Sequence, residues 1–528
     1  MVKVLISDKL SPAAVEIFRN RGIEVDVKTG LSPADLRAII AEYDGLAVRS
    51  STKVTRELLE VAENLKVVGR AGIGVDNVDV KSATARGVVV MNTPYGNAIT
   101  TAEHAIAMMF ALARQIPEAS ASTKAGKWEK NRFMGVELTG KTLGLIGCGN
   151  IGSIVADRAQ GLKMRVIAFD PYLTEKRALD LGVEKVELDD LIARADLITL
   201  HTPLTDSTRN ILSREALART KKGVRIINCA RGGLVDEAAL ADALKSGHVA
   251  GAALDVFETE PATDSPLFGL DNVVCTPHLG AATAEAQENV ALQVAEQMSD
   301  FLLTGAVSNA INMPSVTAEE APRLRPYMEL CRLLGSMAGQ LTQSRDGTLK
   351  RVTIEYEGLA AKLNHRPLDA AVLAGLMGPM SEGANMVNAP VLARERGIDV
   401  ATVVHDRPSE YQTLVRLTVA TEQGERSLSG TLFAGARPRI VEIKGIRVEA
   451  DFARHMLYVT NQDKPGFIGR FGATLAGAGI NIATFHLGRA DQGGDAICMV
   501  SVDEKVPEDV LEMVRTLPLV MQATALNF

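Results

Sequence analysis

From Val2 to about Gly305, short apolar runs alternate with stretches in which apolar residues recur every three to four positions. The runs VKVLIS, IEVDV, GLAVR, LKVVGR and GVVVMN have the length and β-branched content of strands. The segment between the first two, SPAAVEIFRNRG, reads as a helix capped by Ser11 with Pro12 in its first position. Strand–helix alternation predicts a parallel sheet with helices on both faces. Thr100 to Arg114 reads as a long apolar helix, followed by the polar loop GKWEKNRFMG. A second alternating region then runs through TLGLI, RVIAF, ADLITL, RIINCA, GAALDVF and NVVCTP, six short strands that mostly end in a polar residue, Gly or Pro. A helix, TAEAQENVALQVAEQMSDFLLTG, closes this region.

After it the pattern changes. SNAINMPSVTAEEAPRLRP, with three prolines and scattered charge, reads as a linker. A helix over Tyr327–Gln343, the strand KRVTIEYEG, helices between Pro367 and Arg396 and several strands from Tyr411 to Val448 read as a separate α+β unit. The last stretch, from HMLYVTN to VMQATAL, has the order βαββαβ, the ferredoxin-like arrangement. No fixed-period repeat is evident.

The 528 residues exceed one ordinary domain; at roughly 150 residues each, three to four are expected. With 46% hydrophobic and 23% charged residues, the chain is neither disordered nor fibrous. A net charge of −7 argues against nucleic acid as a partner. The five cysteines form no CxxC pair, so no disulfide framework and no metal site is expected and a reducing compartment fits. The opening MVKVLISDKL reads as a strand, and the apolar stretch Ala105–Ala113 is too short to span a bilayer. A soluble cytoplasmic protein with no membrane partner is the expectation.

Gly147, Gly149 and Gly152 form G-C-G-N-I-G between the strand TLGLI and a helix, and Asp170 ends the next strand 18 residues beyond Gly152. Tight turn, close backbone approach, helix N-terminus and ribose-binding acid together indicate a dinucleotide site. A carboxylate at Asp170 repels a 2′-phosphate, so NAD is expected over NADP.

A dehydrogenase needs a base for the hydroxyl proton and a cation for the substrate carboxylate. His278 follows the strand NVVCTP, Arg231 follows RIINCA and Glu260 follows GAALDVF, all at the sheet end where the nucleotide should lie. A carboxylate beside a histidine raises its pKa and fixes its tautomer. His104, in the apolar helix, reads as a packing residue. His201 reads equally as site-lining or structural. His248, His365, His405 and His455 read as surface residues, and His486 lies outside the nucleotide sheet.

The segments NCARGGLVDEAAL, GAALDVFETEP and CTPHLGAAT, with VGRAGIGVDNVD, resemble the signature segments of D-isomer-specific 2-hydroxyacid dehydrogenases. The terminal βαββαβ module resembles the ACT domain of the long-form members that act on 3-phosphoglycerate. The resemblance implies two Rossmann-like doubly wound domains: a substrate-binding domain from residues 1–98 and 284–313, and an NAD domain, 99–283, inserted in it. An α+β intervening domain, 314–454, and an ACT domain, 455–528, follow. Arg231, Glu260 and His278 match the family's catalytic three. The nucleotide is expected to meet Gly147, Gly149, Asn150, Ile151, Gly152, Asp170, Thr202, Cys229, Ala230, Arg231, Asp255, His278 and Gly280. Arg49, Ser50, Gly72, Ile73 and Gly74 match substrate-binding positions, although Ile73 replaces a hydroxyl residue of some relatives. Lys130 and Arg132 match basic residues that reach the phosphate, from a neighbouring subunit or as a mere solvated charge run. Asn461, Asp463 and Asn481 match positions that hold an amino-acid effector, here L-serine, and the family implies a homotetramer. Arg437, Arg439, Lys444 and Arg447 form a basic cluster that reads as a solvated face, with a site for an anionic effector as the alternative. The implied reaction is NAD-dependent oxidation of 3-phosphoglycerate, the first step towards L-serine. Rival readings are a dehydrogenase or reductase for another 2-hydroxy or 2-oxo acid, such as 2-oxoglutarate, and a nucleotide-sensing protein without catalysis.

Overall fold

The apolar runs pair into two parallel sheets, the central strands because they are buried on both faces. A computed structural model describes residues 2–317, 319–343, 348–406 and 410–528. In the first sheet β1 (Lys3–Ile6), β2 (Glu24–Val27), β3 (Gly45–Val48), β4 (Val67–Arg70) and β5 (Val89–Met91) lie in the order β2-β1-β3-β4-β5, all parallel. Ser11 caps the helix Pro12–Asn20 by accepting from the Ala13 amide, with Pro12 in its first turn as expected.

The second sheet holds β6 (Thr142–Ile146), β7 (Arg165–Phe169), β8 (Glu184–Lys185), β9 (Leu197–Leu200), β10 (Val224–Asn228), β11 (Val249–Leu254) and β12 (Val273–Cys275). Its order, β12-β11-β10-β9-β6-β7-β8, is parallel throughout and reverses between β6 and β9, which opens a crevice at the carboxyl ends of the strands. The six apolar strands are all present. The seventh, β8, is two partly exposed residues with no apolar signal to reveal it.

Two helices join the units. Ala98–Arg114 packs on the second sheet, and Ala284–Thr304 returns to the first, where Val290, Val294 and Met298 share a core with Val4, Ile6 and Val67. The stretch after Gly305 is not a free linker. The Ile311 amide donates to Val90 O (2.8 Å), the Val90 amide donates to Asn312 Oδ1 (2.9 Å), and Asn312 Nδ2 donates to Val88 O (2.9 Å). The Asn312 amide thus stands in for backbone along the open edge of β5, which its polar composition concealed. Ala318 of that stretch lies outside the described residues.

The third sheet contains β13 (Leu349–Gly358), β14 (Asp399–His405), β15 (Thr413–Thr421), β16 (Gly424–Phe433), β17 (Arg437–Ile443) and β18 (Ile446–Asp451), ordered β14-β13-β15-β16-β17-β18. Only β13 and β14 are parallel. Edge strand β14 was not expected, because its exposed face carries Val400 and Val404 and its half-buried face Ala401, Val403 and His405, so apolar and polar residues do not alternate along it. The helix packed on β15, β16 and β17 begins at Ala321 rather than Tyr327 and continues through Pro326. The fourth sheet, β19 (His455–Gln462), β20 (Ile482–Arg489), β21 (Asp495–Val502) and β22 (Val520–Asn527), is ordered β20-β21-β19-β22, with helices Phe467–Gly477 and Glu508–Arg515 in the expected βαββαβ sequence.

Side-chain amides fasten the third unit to its neighbours. Asn385 Nδ2 donates to Gly87 O (3.0 Å), and Gln340 both donates to Asn527 O and accepts from the Asn527 amide (2.9 Å each). Among the described residues no helix is long and apolar enough to cross a membrane.

Candidate active site

The carboxyl ends of β10, β11 and β12 carry Arg231, Glu260 and His278. His278 Nδ1 lies 2.7 Å from Glu260 Oε2. A carboxylate only accepts, so Nδ1 carries the hydrogen and Nε2 keeps its lone pair. The Glu260 hydrogen bond raises the His278 pKa, outweighing the burial that lowers it. Burial pushes the Glu260 carboxyl up, but the His278 hydrogen bond and charge and the Phe257 amide hold it below its ordinary value.

His278 has φ +54, a left-handed conformation unusual outside glycine and maintained only by surrounding structure. Asp255 maintains it. Its carbonyl accepts from the His278 amide (2.9 Å), Oδ1 from the Leu279 amide (2.7 Å) and Thr276 Oγ1 (2.5 Å), and Oδ2 from the Gly280 amide (2.8 Å). The Asp255 side chain, expected to meet the nucleotide, is fully buried with both oxygens engaged in this turn.

Arg231 closes the other side. Its Nε donates to Asp76 Oδ2 of the first unit (2.9 Å) and its Nη1 to Ala230 O (2.6 Å). The glycine loop of the first unit lies directly on the guanidinium groups: a Cβ at Gly74 would fall 1.7 Å from Arg231 Nη2, and one at Gly72 1.4 Å from Arg70 Nη1. Arg70 was not singled out in the sequence. It ends β4 as Arg231 follows β10, so the same end-of-strand signal would have found it. Its Nε is buried without a partner, and burial, then the charge of Arg231, lowers its pKa to about 10. Arg49 is held through its amide by Asp8 Oδ2 (2.7 Å), Ser50 beside it is exposed, and the Ile73 carbonyl accepts from Asn92 Nδ2 (2.6 Å). Arg49, Arg70 and Arg231 thus form a local cluster of cations, partly offset by Asp76 and Asp8, in an acidic chain.

Lys130 and Arg132 are not in this group. Arg132 pairs with Glu129 in its own loop (3.3 Å) and faces Asp271 (3.9 Å), which precedes β12 and so lies at the opposite end of the sheet from His278. The long helix carries its C-terminus away from the cleft, so within one chain this loop cannot return to it.

The glycine turn fits a dinucleotide. Gly147 has φ +92, and a Cβ there would lie 2.5 Å from His201 O; one at Gly152 would lie 2.1 Å from Gly147 O, whereas Gly149 faces open space. Gly149 caps the helix Asn150–Gly161, whose first residues are Asn150 and Ile151. Asp170 accepts from the Cys148 and Tyr172 amides (2.8 Å each), which fixes the acid beside the turn. Thr202 follows β9; Cys229, buried, and Ala230 follow β10; Gly280 is buried in the His278 turn.

Of the remaining histidines, His486 lies on β20, outside the nucleotide sheet, as expected. His104 is not simple packing: its Nε2 lies 3.2 Å from Asp255 Oδ1. Burial lowers the His201 pKa to about 4; its Nε2 lies 2.9 Å from Thr199 Oγ1, its Nδ1 has no partner, and its carbonyl lies against Gly147 of the glycine turn. His248, His365, His405 and His455 are half-buried, and His365 stacks on Tyr356. In the basic cluster Arg439 pairs with Asp451 and Arg447 with Glu410. All five cysteines are free.

Asn461, Asp463 and Asn481 do not converge. Asn461 points inward against Cys498, Asp463 binds Arg489 (2.9 Å), and Asn481 binds Asp503 (2.7 Å). Antiparallel register puts Asn461 opposite Ala496 and sets Asn481 beside the far end of β21, a strand length away. That separation was invisible without the pairing.

Residues 106–280 match the family model for the D-isomer specific 2-hydroxyacid dehydrogenase, NAD binding domain. With the crevice, glycine turn and His–Glu pair, this defines an NAD-dependent oxidoreductase of the 2-hydroxyacid dehydrogenase class. Residues 323–444 match the D-3-phosphoglycerate dehydrogenase intervening domain and 455–518 the ACT domain. D-3-phosphoglycerate dehydrogenase of Methanocaldococcus jannaschii is 43% identical over all of both chains, and that of Synechocystis 43% identical over 97% of this chain and 92% of its own. The crystal structure of the TT0316 protein from Thermus thermophilus superposes with a TM-score of 0.54 at 36% identity, over 59% of this chain and 100% of its own. The chain belongs to the D-3-phosphoglycerate dehydrogenase family.

Proposed function

We propose that the chain oxidises 3-phospho-D-glycerate at C2 to 3-phosphohydroxypyruvate, the first step of L-serine synthesis, in the cytoplasm. One observation carries the reading. Arg231 of the nucleotide unit lies on the glycine loop of the first unit, beside Arg70, at the strand ends that also bear the His278–Glu260 pair. Arg49, Arg70 and Arg231 hold the carboxylate and phosphate, with Ser50 and the amides of Gly72, Ile73 and Gly74. His278 Nε2 takes the C2 hydroxyl proton as the C–H bond breaks, and Glu260 stabilises the resulting imidazolium. The glycine turn, Asp170 and the helix N-terminus hold NAD, which when bound accepts the hydride leaving C2. The half-exposed imidazolium then returns its proton to water.

Exposed apolar residues around the long helix and its loop, Phe110, Ile116, Trp128 and Met134, support assembly with further copies. In a homotetramer Lys130 and Arg132 reach a neighbour's phosphate site. Pairing of ACT domains likewise brings Asn481 of one copy to Asp463 of another, where L-serine binds and inhibits, with the buried Asn461 supporting the strand behind that site. Steady-state NADH formation tests the reading. Turnover is expected with 3-phosphoglycerate far above lactate or glycerate, and lowered by serine. Equal rates on the unphosphorylated acids would remove the substrate assignment, and rates indifferent to saturating serine the effector.

A further inference from the structure

We infer that His104 is a positioning residue for the dehydrogenase reaction, holding the Asp255 carboxylate that in turn holds the left-handed turn presenting His278. The inference rests on His278 being the base.

Thr101, His104 and Met108 lie on one face of the helix Ala98–Arg114, and all three meet the Thr276–Gly280 turn. Thr101 Oγ1 donates to Gly280 O (2.9 Å), His104 Nε2 lies 3.2 Å from Asp255 Oδ1 and 3.3 Å from Thr276 Oγ1, and Met108 Sδ lies 3.8 Å from Thr276 Oγ1. The donor can be assigned. The Thr276 hydroxyl has one hydrogen, placed on Asp255 at 2.5 Å. Both oxygens facing His104 Nε2 are therefore acceptors, and Nε2 carries the hydrogen that bridges them.

A buried carboxylate is tolerated only when donors or opposite charge surround it. Asp255 is fully buried and takes two backbone amides and one hydroxyl, all from the turn it restrains. Among the described residues its one ion-pairing partner is His104, the donor that comes from outside that turn. His104 therefore anchors the carboxylate, and through it His278, to the helix that bridges the two dehydrogenase units.

The electrostatic consequence has a definite sign. Glu260 and Asp255 favour the imidazolium of His278 and Arg231 opposes it; the thiol of Cys229 also lies beside Asp255 and is pushed up by burial. The His104 N–H offsets part of the Asp255 charge. Without it His278 keeps its proton to higher pH, and because oxidation needs the neutral imidazole, the acid limb of the rate profile moves up.

The test compares His104→Leu, His104→Gln and His278→Ala in the full-length protein. His104→Leu is expected to lower kcat by about tenfold from mispositioning, with KM for NAD within about threefold and the acid limb of kcat/KM displaced to higher pH. His104→Gln keeps an N–H donor and is expected to recover most of the rate and the wild-type limb. Wild-type kcat and limb in His104→Leu would overturn the inference, as would a rate loss that His104→Gln does not rescue. Failure of the base assignment reads out separately: His278→Ala would then turn over normally, whatever the His104 variants do.

Discussion

A single hydrogen bond of 2.7 Å, from His278 Nδ1 to Glu260 Oε2, sets the acid–base character of the site. Its effect on pH dependence follows from the sign of the shift. Glu260 stabilises the imidazolium and raises the His278 pKa, so oxidation loses rate as pH falls through that raised value. Glu260→Gln removes the charge, so the acid limb of kcat/KM should move to lower pH while kcat drops by about a hundredfold. A pH–rate series on both proteins measures this, and an unmoved limb would separate Glu260 from the base. His278 itself was legible as the polar end of an apolar strand. Asp255 was legible as polar, but its use as the restraint on a left-handed residue was not, because that depends on four donors brought together by folding.

At the scale of elements, the strand–turn–helix around Gly147 shows how local backbone demands create a binding surface. Gly147 combines φ +92 with 2.5 Å of clearance between a would-be Cβ and a backbone carbonyl that has no side-chain freedom to yield. Gly147→Ala should cost about 1–3 kcal/mol of stability from backbone strain and weaken NADH binding at least tenfold, read by urea unfolding and fluorescence titration. Wild-type values in both would show that the turn tolerates a side chain. Parallel strands were readable because burial on both faces makes them continuous apolar runs. Strands β8 and β14 were not, since β8 is two charged residues and β14 carries valines on its exposed face.

For the whole molecule, asparagine and glutamine amides at the seams do what apolar cores do within units. Asn385 joins the third unit to Gly87 at the end of the helix Val80–Ala85, and Gln340 joins it to the last strand. A partly buried neutral hydrogen bond contributes about 1 kcal/mol. Asn385→Ala should therefore loosen that seam without unfolding either unit. Hydrogen exchange should quicken at residues 85–88 and 383–388 and stay unchanged in Ala98–Arg114, with kcat within about twofold of wild type. Unchanged exchange at the seam would mean that the contact bears no load.

Local chemistry was enough to reveal the strands, the glycine turn with its acid 18 residues on, and the three polar groups that leave β10, β11 and β12. Each depends on short-range periodicity and backbone sterics, which neighbouring residues specify among themselves. The meeting of Arg231 with Gly74 and Asp76, the hold of His104 and Asp255 on His278, and the separation of Asn481 from Asp463 required the folded chain. Those depend on register and domain closure, which join residues far apart in sequence and leave no mark on the pattern of either segment alone.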